Sequence, residues 1–476
     1  MYNVILFAKQ MSVLLNKIQQ QKLLALTDQH GLGFANEESA LALDEFLSTR
    51  SDAQLEINLG HICNNICSFC VSGHLTQQGL AKPVPVDPIK KVMQKAYNQG
   101  TRQVILLGGE PTIQKNFFPA LEYAASLGFE KIIVFTNLVR GREAAFLQRV
   151  AAYPAVHWRV SIQGGDEATH DRVVKRPGAF KKIQQGLAWL CKNQQEVSIN
   201  SCITTESADS IAGYADLLQN FQIKQLHLDM FRPSSAGRRA EEYALDLIPD
   251  YHKVATNIDR LIHRLGDSFQ GISLSIGGLP YCFLPQYANL IHHGGDQTYM
   301  VSIAADEERG WDKYSAQNNG RFQMPQCSSC VFHRDCHGLP IGYGMKFGKP
   351  ELHPIQLIDV LNLPKSLMGK SQAQSIFGAA LSSWREWSDN MQKVARRMAL
   401  IERAAPYDGW RVVQDAILLK QQQAGIKLQK NDNAFYVLFS AKNKISLQFI
   451  QSDSSGASNK AISQIIQTIR RPPVAK

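Results

Sequence analysis

The chain is poor in the features that would place it in a membrane or a disulfide-built scaffold. It has no run of 18 apolar residues, the length a membrane-crossing helix needs. The apolar start, Met1 to Ala8, is short and lacks a basic segment ahead of it, which argues against a secretory signal. Nine cysteines in 476 residues are too few for a disulfide framework, and seven of them cluster in two places, which points to metal and to a reducing, cytoplasmic setting. There is no interleaved basic–aromatic run of the kind that reads nucleic acid. Charge is scarce at 19% and unevenly placed: residues 361–476 hold 17 Lys and Arg against 7 Asp and Glu, which accounts for the whole surplus of +10. That surplus reads either as a solvated face or as a surface steering an acidic partner.

What is present is a beat of strand and helix. Strand-like runs fall at Leu55–Leu59, Gln103–Leu107, Lys131–Phe135, Val156–Ser161, Val197–Ile203 and Lys224–Asp229. Helical stretches lie between them, around Pro88–Asn98, Asn116–Leu127, Arg142–Val150, Phe180–Lys192 and Ala208–Asn220. Six βα units imply an α/β fold, a partial (β/α)6 barrel with right-handed crossovers. Polar and glycine-rich residues gather just after each strand, on the face where parallel barrels place their active sites. Residues 1–52 read as an N-terminal helical segment, 53–270 as the barrel and 271–360 as a cysteine-bearing extension. Residues 361–476 read as a small basic α+β module: helices around Trp384–Ile401 and Trp410–Gln423, a hairpin of Ala434–Ser440 and Ile445–Gln451, and a helix at Asn459–Ile469.

Immediately after the first strand stand Cys63, Cys67 and Cys70, three thiols within eight residues. Such a loop can aim three thiolates at three irons of a cubane and leave the fourth iron open. A zinc site completed by His61 or His74 is the alternative reading of the same residues. This C-x3-C-x2-C run, with Phe69 before its last cysteine, resembles the cluster loop of the radical S-adenosylmethionine (radical SAM) enzymes. After the next strand, Gly108-Gly109-Glu110-Pro111 resembles that family's GGEP motif, although alone it reads equally as a strand-to-helix turn. Thr136, Asn137, Ser161 and Gln163 resemble weaker family positions, and Gln163 stands where the family often has an acidic residue. Each of these four also reads as ordinary strand-end capping.

The resemblance implies a TIM-like radical SAM barrel in which Cys63, Cys67 and Cys70 hold a [4Fe–4S] cluster. It implies S-adenosylmethionine (SAM) on the open iron, with Phe69, Gly108–Pro111, Thr136, Asn137, Ser161 and Gln163 around it. It further implies reductive cleavage of SAM to a 5′-deoxyadenosyl radical that abstracts hydrogen from a substrate, and a reductant such as flavodoxin or ferredoxin. Downstream, Cys282, Cys327, Cys330 and Cys336 resemble the SPASM and twitch extensions, which implies one auxiliary [4Fe–4S] cluster; a structural zinc is the alternative. The substrate expected is a peptide or small molecule. RNA modification through the basic module is a second enzymatic reading, and a zinc-stabilised binding protein a third, non-enzymatic one. Cys191 reads as core. Cys202, near the end of the fifth strand, reads as core or as a hydrogen donor.

Overall fold

The structure is a computed structural model, and it describes residues 54–231, 245–292, 298–304, 307–312, 321–330, 332–333, 336–348, 352–355, 397, 401, 404–407, 409–418, 423–430, 433–440, 445–449 and 458–470. The helices expected before residue 53, Arg232, and most of the stripe from Trp384 to Ile401 lie outside the described residues.

The core is a parallel sheet: β1 (Gln54–Asn58), β2 (Gln103–Leu107), β3 (Lys131–Thr136), β4 (Val156–Ser161), β5 (Val197–Ile203) and β6 (Gln225–Met230), each hydrogen-bonded to the next in sequence order. Helices α1 (Val71–Gln77), α2 (Val86–Asn98), α3 (Phe117–Leu127), α4 (Ala144–Ala151), α5 (Glu167–Val174), α6 (Ala179–Lys192) and α7 (Tyr214–Asn220) fall between these strands. Every second strand residue is apolar and almost wholly buried: Leu55 and Ile57, Val104 and Leu106, Ile132 and Val134, Trp158 and Val160, Leu226 and Leu228. Because side chains alternate across a strand, this set packs under the helices and the intervening set turns into the barrel lumen. In α2, Ile89, Val92, Met93 and Ala96 repeat at helical spacing and bury one face. The helix ends are marked locally. The Asp166 carboxylate accepts from Thr169 N at 2.8 Å to open α5, and Gly128, at φ 89°, closes α3 in the left-handed conformation.

The sheet runs beyond the six expected strands. Helix α8 (Tyr251–Leu265) leads into β7 (Ser273–Gly277), which pairs with β6, and β8 (Ile291–His292) follows on that edge. The signal for β7 is the alternation Leu274-Ser275-Ile276, short enough to be hidden beside the cysteines that follow. On the opposite edge, β9 (Thr298–Ala304) pairs parallel with β1, and β10 (Glu307–Asp312) returns antiparallel to it. The barrel sheet therefore takes in segments on both sides of Cys282.

After β10 come β11 (Arg321–Phe322), which pairs with β12 (Leu339–Pro340), and α9 (Ile341–Phe347). The C-terminal part is an antiparallel sheet, β13 (Arg411–Leu418), β14 (Gln423–Lys430), β15 (Asn433–Ser440) and β16 (Ile445–Phe449), followed by α10 (Ser458–Arg470). The hairpin and last helix match expectation. The helix expected over Trp410–Gln423 does not: Arg411–Leu418 is the strand β13, and Gln423 begins β14. The apolar spacing of Val412, Val413, Ile417 and Leu418 suits either period, and pairing with β14 decides it.

Candidate functional site

The first cysteine loop is pinned from three sides at the C-terminal mouth of the parallel strands. Cys63 N–H donates to Thr76 Oγ1 at 3.0 Å, and that hydroxyl donates to His61 O at 3.0 Å. The end of α5 supplies two carbonyls, Val174 O accepting from Ile66 N at 3.2 Å and Val173 O from Ser68 N at 2.9 Å. The Arg176 guanidinium donates to Asn64 O. Within the loop, Cys70 N donates to Cys67 O at 3.1 Å.

The third side is the turn after β2. Gly109 N donates to Gly60 O at 2.7 Å and Glu110 N to Ile62 O at 2.9 Å, so this turn lies along the start of the cysteine loop. A Cβ on Gly108, whose φ is 149°, would stand 2.4 Å from Gly60 O; one on Gly109 would stand 2.4 Å from Ile62 O. In this structure the glycine pair brings backbone close to backbone, between two strand-end loops.

Glu110 is 1% exposed, and its carboxylate is fully engaged. Oε1 accepts from Thr112 N at 3.1 Å and from the hydroxyls of Thr112 and Thr136, both at 2.6 Å. Oε2 accepts from Asn137 N at 2.7 Å. Burial raises its pKa against the pull of these donors. Glu110 thus ties the turn after β2 to the end of β3. Asn137 continues the chain of contacts, donating through Nδ2 to Asn64 Oδ1 at 2.7 Å. Pro111 opens a short 3-10 turn capped by Glu110.

Ser161 and Gln163 stand together at the end of β4. Gln163 donates through Nε2 to Ser161 Oγ at 2.5 Å and accepts at Oε1 from Cys202 N at 2.9 Å. Its backbone N–H donates to His170 Nδ1 at 3.0 Å. An amide can donate and accept at once, so Gln163 stitches β4 to β5 by donating to Ser161 and accepting from Cys202. It is buried, and both ends of its amide are already in use. Phe69 is half-buried, packed against the main core, and Cys191 is a half-buried neighbour of that same core.

The thiol chemistry is that of a site awaiting positive charge. Burial pushes Cys63 up to about 12, with the charges of Glu110 and Cys70 adding to the rise. Burial also raises Cys67 well above the ordinary thiol value, followed by the charges of Cys70 and Cys63. Cys70 adds to the rise at both Cys63 and Cys67, so the three thiols stand close together. As thiolates they need a metal's charge to offset their burial, and a polynuclear iron–sulfur group fits that donor set.

The second cysteine group is assembled from three segments. Cys282 lies in the turn after β7, Cys327 and Cys330 in the turn Pro325–Ser329 and its end, and Cys336 just before β12. All four line one small cavity with Tyr281, Phe332 and His333. Burial pushes Cys282 up to about 12, and Cys336, Cys330 and Cys327 each add to the rise, which places the four in one electrostatic neighbourhood. Burial also raises Cys336, against the pull of the Gly338 and Tyr281 backbone and the Arg321 charge. Arg321, a residue sequence reading passed over, is buried and donates to Gly278 O at 2.9 Å and Gly338 O at 2.8 Å. Gln323 Nε2 donates to His333 O at 2.7 Å and Cys336 O at 2.6 Å. As the side chains stand, no three His, Cys, Asp or Glu among the described residues converge on a single ion. None of the helices among the described residues is long and apolar enough to cross a membrane.

Sequence reading also passed over the lumen. Glu56, Arg159, His227 and Asp229 turn inward from β1, β4 and β6, and the available signal was a charged or polar residue at every second position of buried strands.

Comparison with known proteins agrees with this architecture. Residues 57–218 match the family model described as the Radical SAM superfamily. The chain is 22% identical over 223 residues to a probable GTP 3′,8-cyclase of Sulfurisphaera tokodaii, a match covering 46% of this chain and 67% of that protein. It is 28% identical over 235 residues to the sporulation killing factor maturation protein SkfB of Bacillus subtilis, covering 48% of this chain and 52% of that protein. A crystal structure of Streptococcus suis SuiB bound to S-adenosylmethionine superposes with a TM-score of 0.46 at 14% identity, covering 64% of this chain and 76% of that one. Residues 57–218 are a radical SAM domain.

Proposed function

We propose that Cys63, Cys67 and Cys70 hold a [4Fe–4S] cluster at which SAM is bound, and that the enzyme acts on a peptide or small-molecule substrate placed at the barrel mouth. The observation that carries this reading is the pinned loop: three thiols on one short stretch, its path set by Gly108, Gly109 and Glu110. When bound, the cluster and SAM supply reductive cleavage of the sulfonium and hydrogen abstraction from a C–H bond. The chain's own residues supply position. Thr76 and the carbonyls of α5 hold the loop, and the Glu110 carboxylate joins the ends of β2 and β3. Asn137 and Gln163 fix the floor beneath the loop. The electron comes from a low-potential donor such as flavodoxin or ferredoxin. Kinship with a protein named for maturing a sporulation killing factor favours a peptide substrate.

Cys282, Cys327, Cys330 and Cys336 are assigned to one auxiliary [4Fe–4S] cluster, assisting oxidation or substrate binding. Its support is the common cavity and the rise that Cys336, Cys330 and Cys327 each add at Cys282.

Anaerobic reconstitution followed by dithionite and SAM tests the first assignment. Wild type should release 5′-deoxyadenosine, and Cys63→Ala, Cys67→Ala and Cys70→Ala should each abolish it; no product from wild type sinks the reading. The triple alanine variant tests the second, since it should keep an EPR-active cluster on the remaining cysteines. Zinc in its place, with no cluster signal, removes the auxiliary-cluster assignment.

A further inference from the structure

The lumen below the mouth holds a cation that neither cysteine site uses. Arg159 points inward from β4, two residues before Ser161. Its Nε is buried and has no hydrogen-bond partner. Arg159 forms no ion pair among the described residues, although the charges of Glu56 on β1 and Asp229 on β6 act on it. A guanidinium whose Nε is buried with its donor idle is costly to maintain.

Its neighbours extend the same chemistry. The register sets Ser161 of β4 beside Asn200 of β5, and Asn200 beside His227 of β6. His227 Nε2 is likewise buried and unpartnered. Burial, then the Arg159 charge, holds that imidazole neutral at about 3. From β4 to β6 the wall thus offers a guanidinium, an amide and an imidazole nitrogen. The wall from β2 and β3 is different in kind: Ile105, Leu107, Ile133 and Phe135 are the inward residues there, and the Phe135 ring centre lies 5.8 Å from the Arg159 guanidinium carbon.

Two carboxylates give this space a direction. Asp229 lies beside Cys202 and Gly277, nearer the mouth than His227. A Cβ on Gly277 would stand 1.9 Å from Asp229 Oδ1, so the glycine leaves the room that carboxylate occupies. Asp229 repels an anion near the mouth and Glu56 repels one from β1, while Arg159, on which both carboxylates act, attracts it.

We propose that the β4–β6 wall binds an oxyanion of the substrate, a carboxylate or a phosphate, with Arg159 as its main ligand and the attached apolar part against Ile133 and Phe135. This deepens the reading above, since it takes the barrel mouth as the place of chemistry. A planar fork of N–H donors matches either oxyanion, and hydrogen bonds between ionised partners are the strong ones.

Calorimetric titration of the full reconstituted chain with succinate, and separately with inorganic phosphate, tests it. Saturable binding of either probe is expected, and the probe that binds names the oxyanion. Arg159→Gln should weaken it at least about tenfold, with Arg159→Lys in between. Asp229→Asn should tighten it by removing repulsion, which a merely structural arginine would not produce. Saturating SAM should leave the binding in place. Four results overturn the proposal: no binding of either probe to wild type, equal binding by a folded Arg159→Gln, weaker binding by a folded Asp229→Asn, or displacement by SAM. Folding is checked by circular dichroism and melting temperature. Release of 5′-deoxyadenosine, measured on the same samples, separates failure of the lumen site from failure of the cluster assignment.

Discussion

The two cysteine groups solve the same problem by opposite routes. In the first, three thiols share one short loop, and the rest of the barrel is recruited to hold that loop still. Gly109 and Glu110 bind its start, Thr76 its first cysteine and the end of α5 its middle. In the second, four thiols come from segments up to 54 positions apart, Cys282 to Cys336, and are gathered by Arg321 and Gln323 reaching to carbonyls. A local motif needs outside support to keep its shape. A dispersed one needs side chains that act as ties.

The contrast can be broken one side at a time. Cys67→Ala should have the largest effect: 5′-deoxyadenosine at background, while the second group's spectroscopic signal persists. Gly109→Ala comes next, because a methyl 2.4 Å from Ile62 O forces the loop to shift. We expect a loss of about 1–3 kcal/mol, read by thermal denaturation, with iron uptake at the first group falling and the second unchanged. Arg321→Met should do the reverse, lowering metal content only at the second group. Glu110→Gln removes an acceptor facing Asn137 N–H and should cost about 1–3 kcal/mol. A Glu110→Gln variant as stable as wild type would show that the carboxylate does not join β2 to β3.

The last test is a pH dependence. His170 is fully buried beside the first group and is held near 4 by desolvation, against the pull of Asp171. The folded chain resists protonating it, whereas the unfolded chain takes the proton near pH 6.5. Its contribution is therefore complete above about pH 6.5 and is lost as pH falls from there toward 4, by up to about 1.4 kcal/mol per unit. His170→Gln should flatten that part of the stability–pH curve. An unchanged slope would place the acid sensitivity elsewhere, His227 being the next buried candidate.

The six strands and the first cysteine trio were legible because each is written in contiguous residues: apolar runs for the strands, fixed spacing for Cys63, Cys67 and Cys70. The contact of Gly108 and Gly109 with residues 60–62 was not, since nothing local says which part of the chain crosses them. Gln163 read as an imperfect match to an acidic position, yet its amide joins two strands, which is a tertiary fact. β7 and the strand at Arg411–Leu418 were missed because short apolar runs fit two periods until a partner strand chooses one. The lumen charges were in plain view as alternating residues. They carried no message until the sheet set Arg159, Asn200 and His227 side by side.

The pairing of β9 with β1 has a practical consequence. β1 carries the cysteine loop, and its outer neighbour comes from beyond Cys282. A fragment cut after residue 270 would strip that neighbour away and leave the backbone amides and carbonyls of β1 bare. Bare strands of this sort recruit other chains, so the shortened protein should clump on purification. A cut placed beyond Asp312 would keep the strand covered.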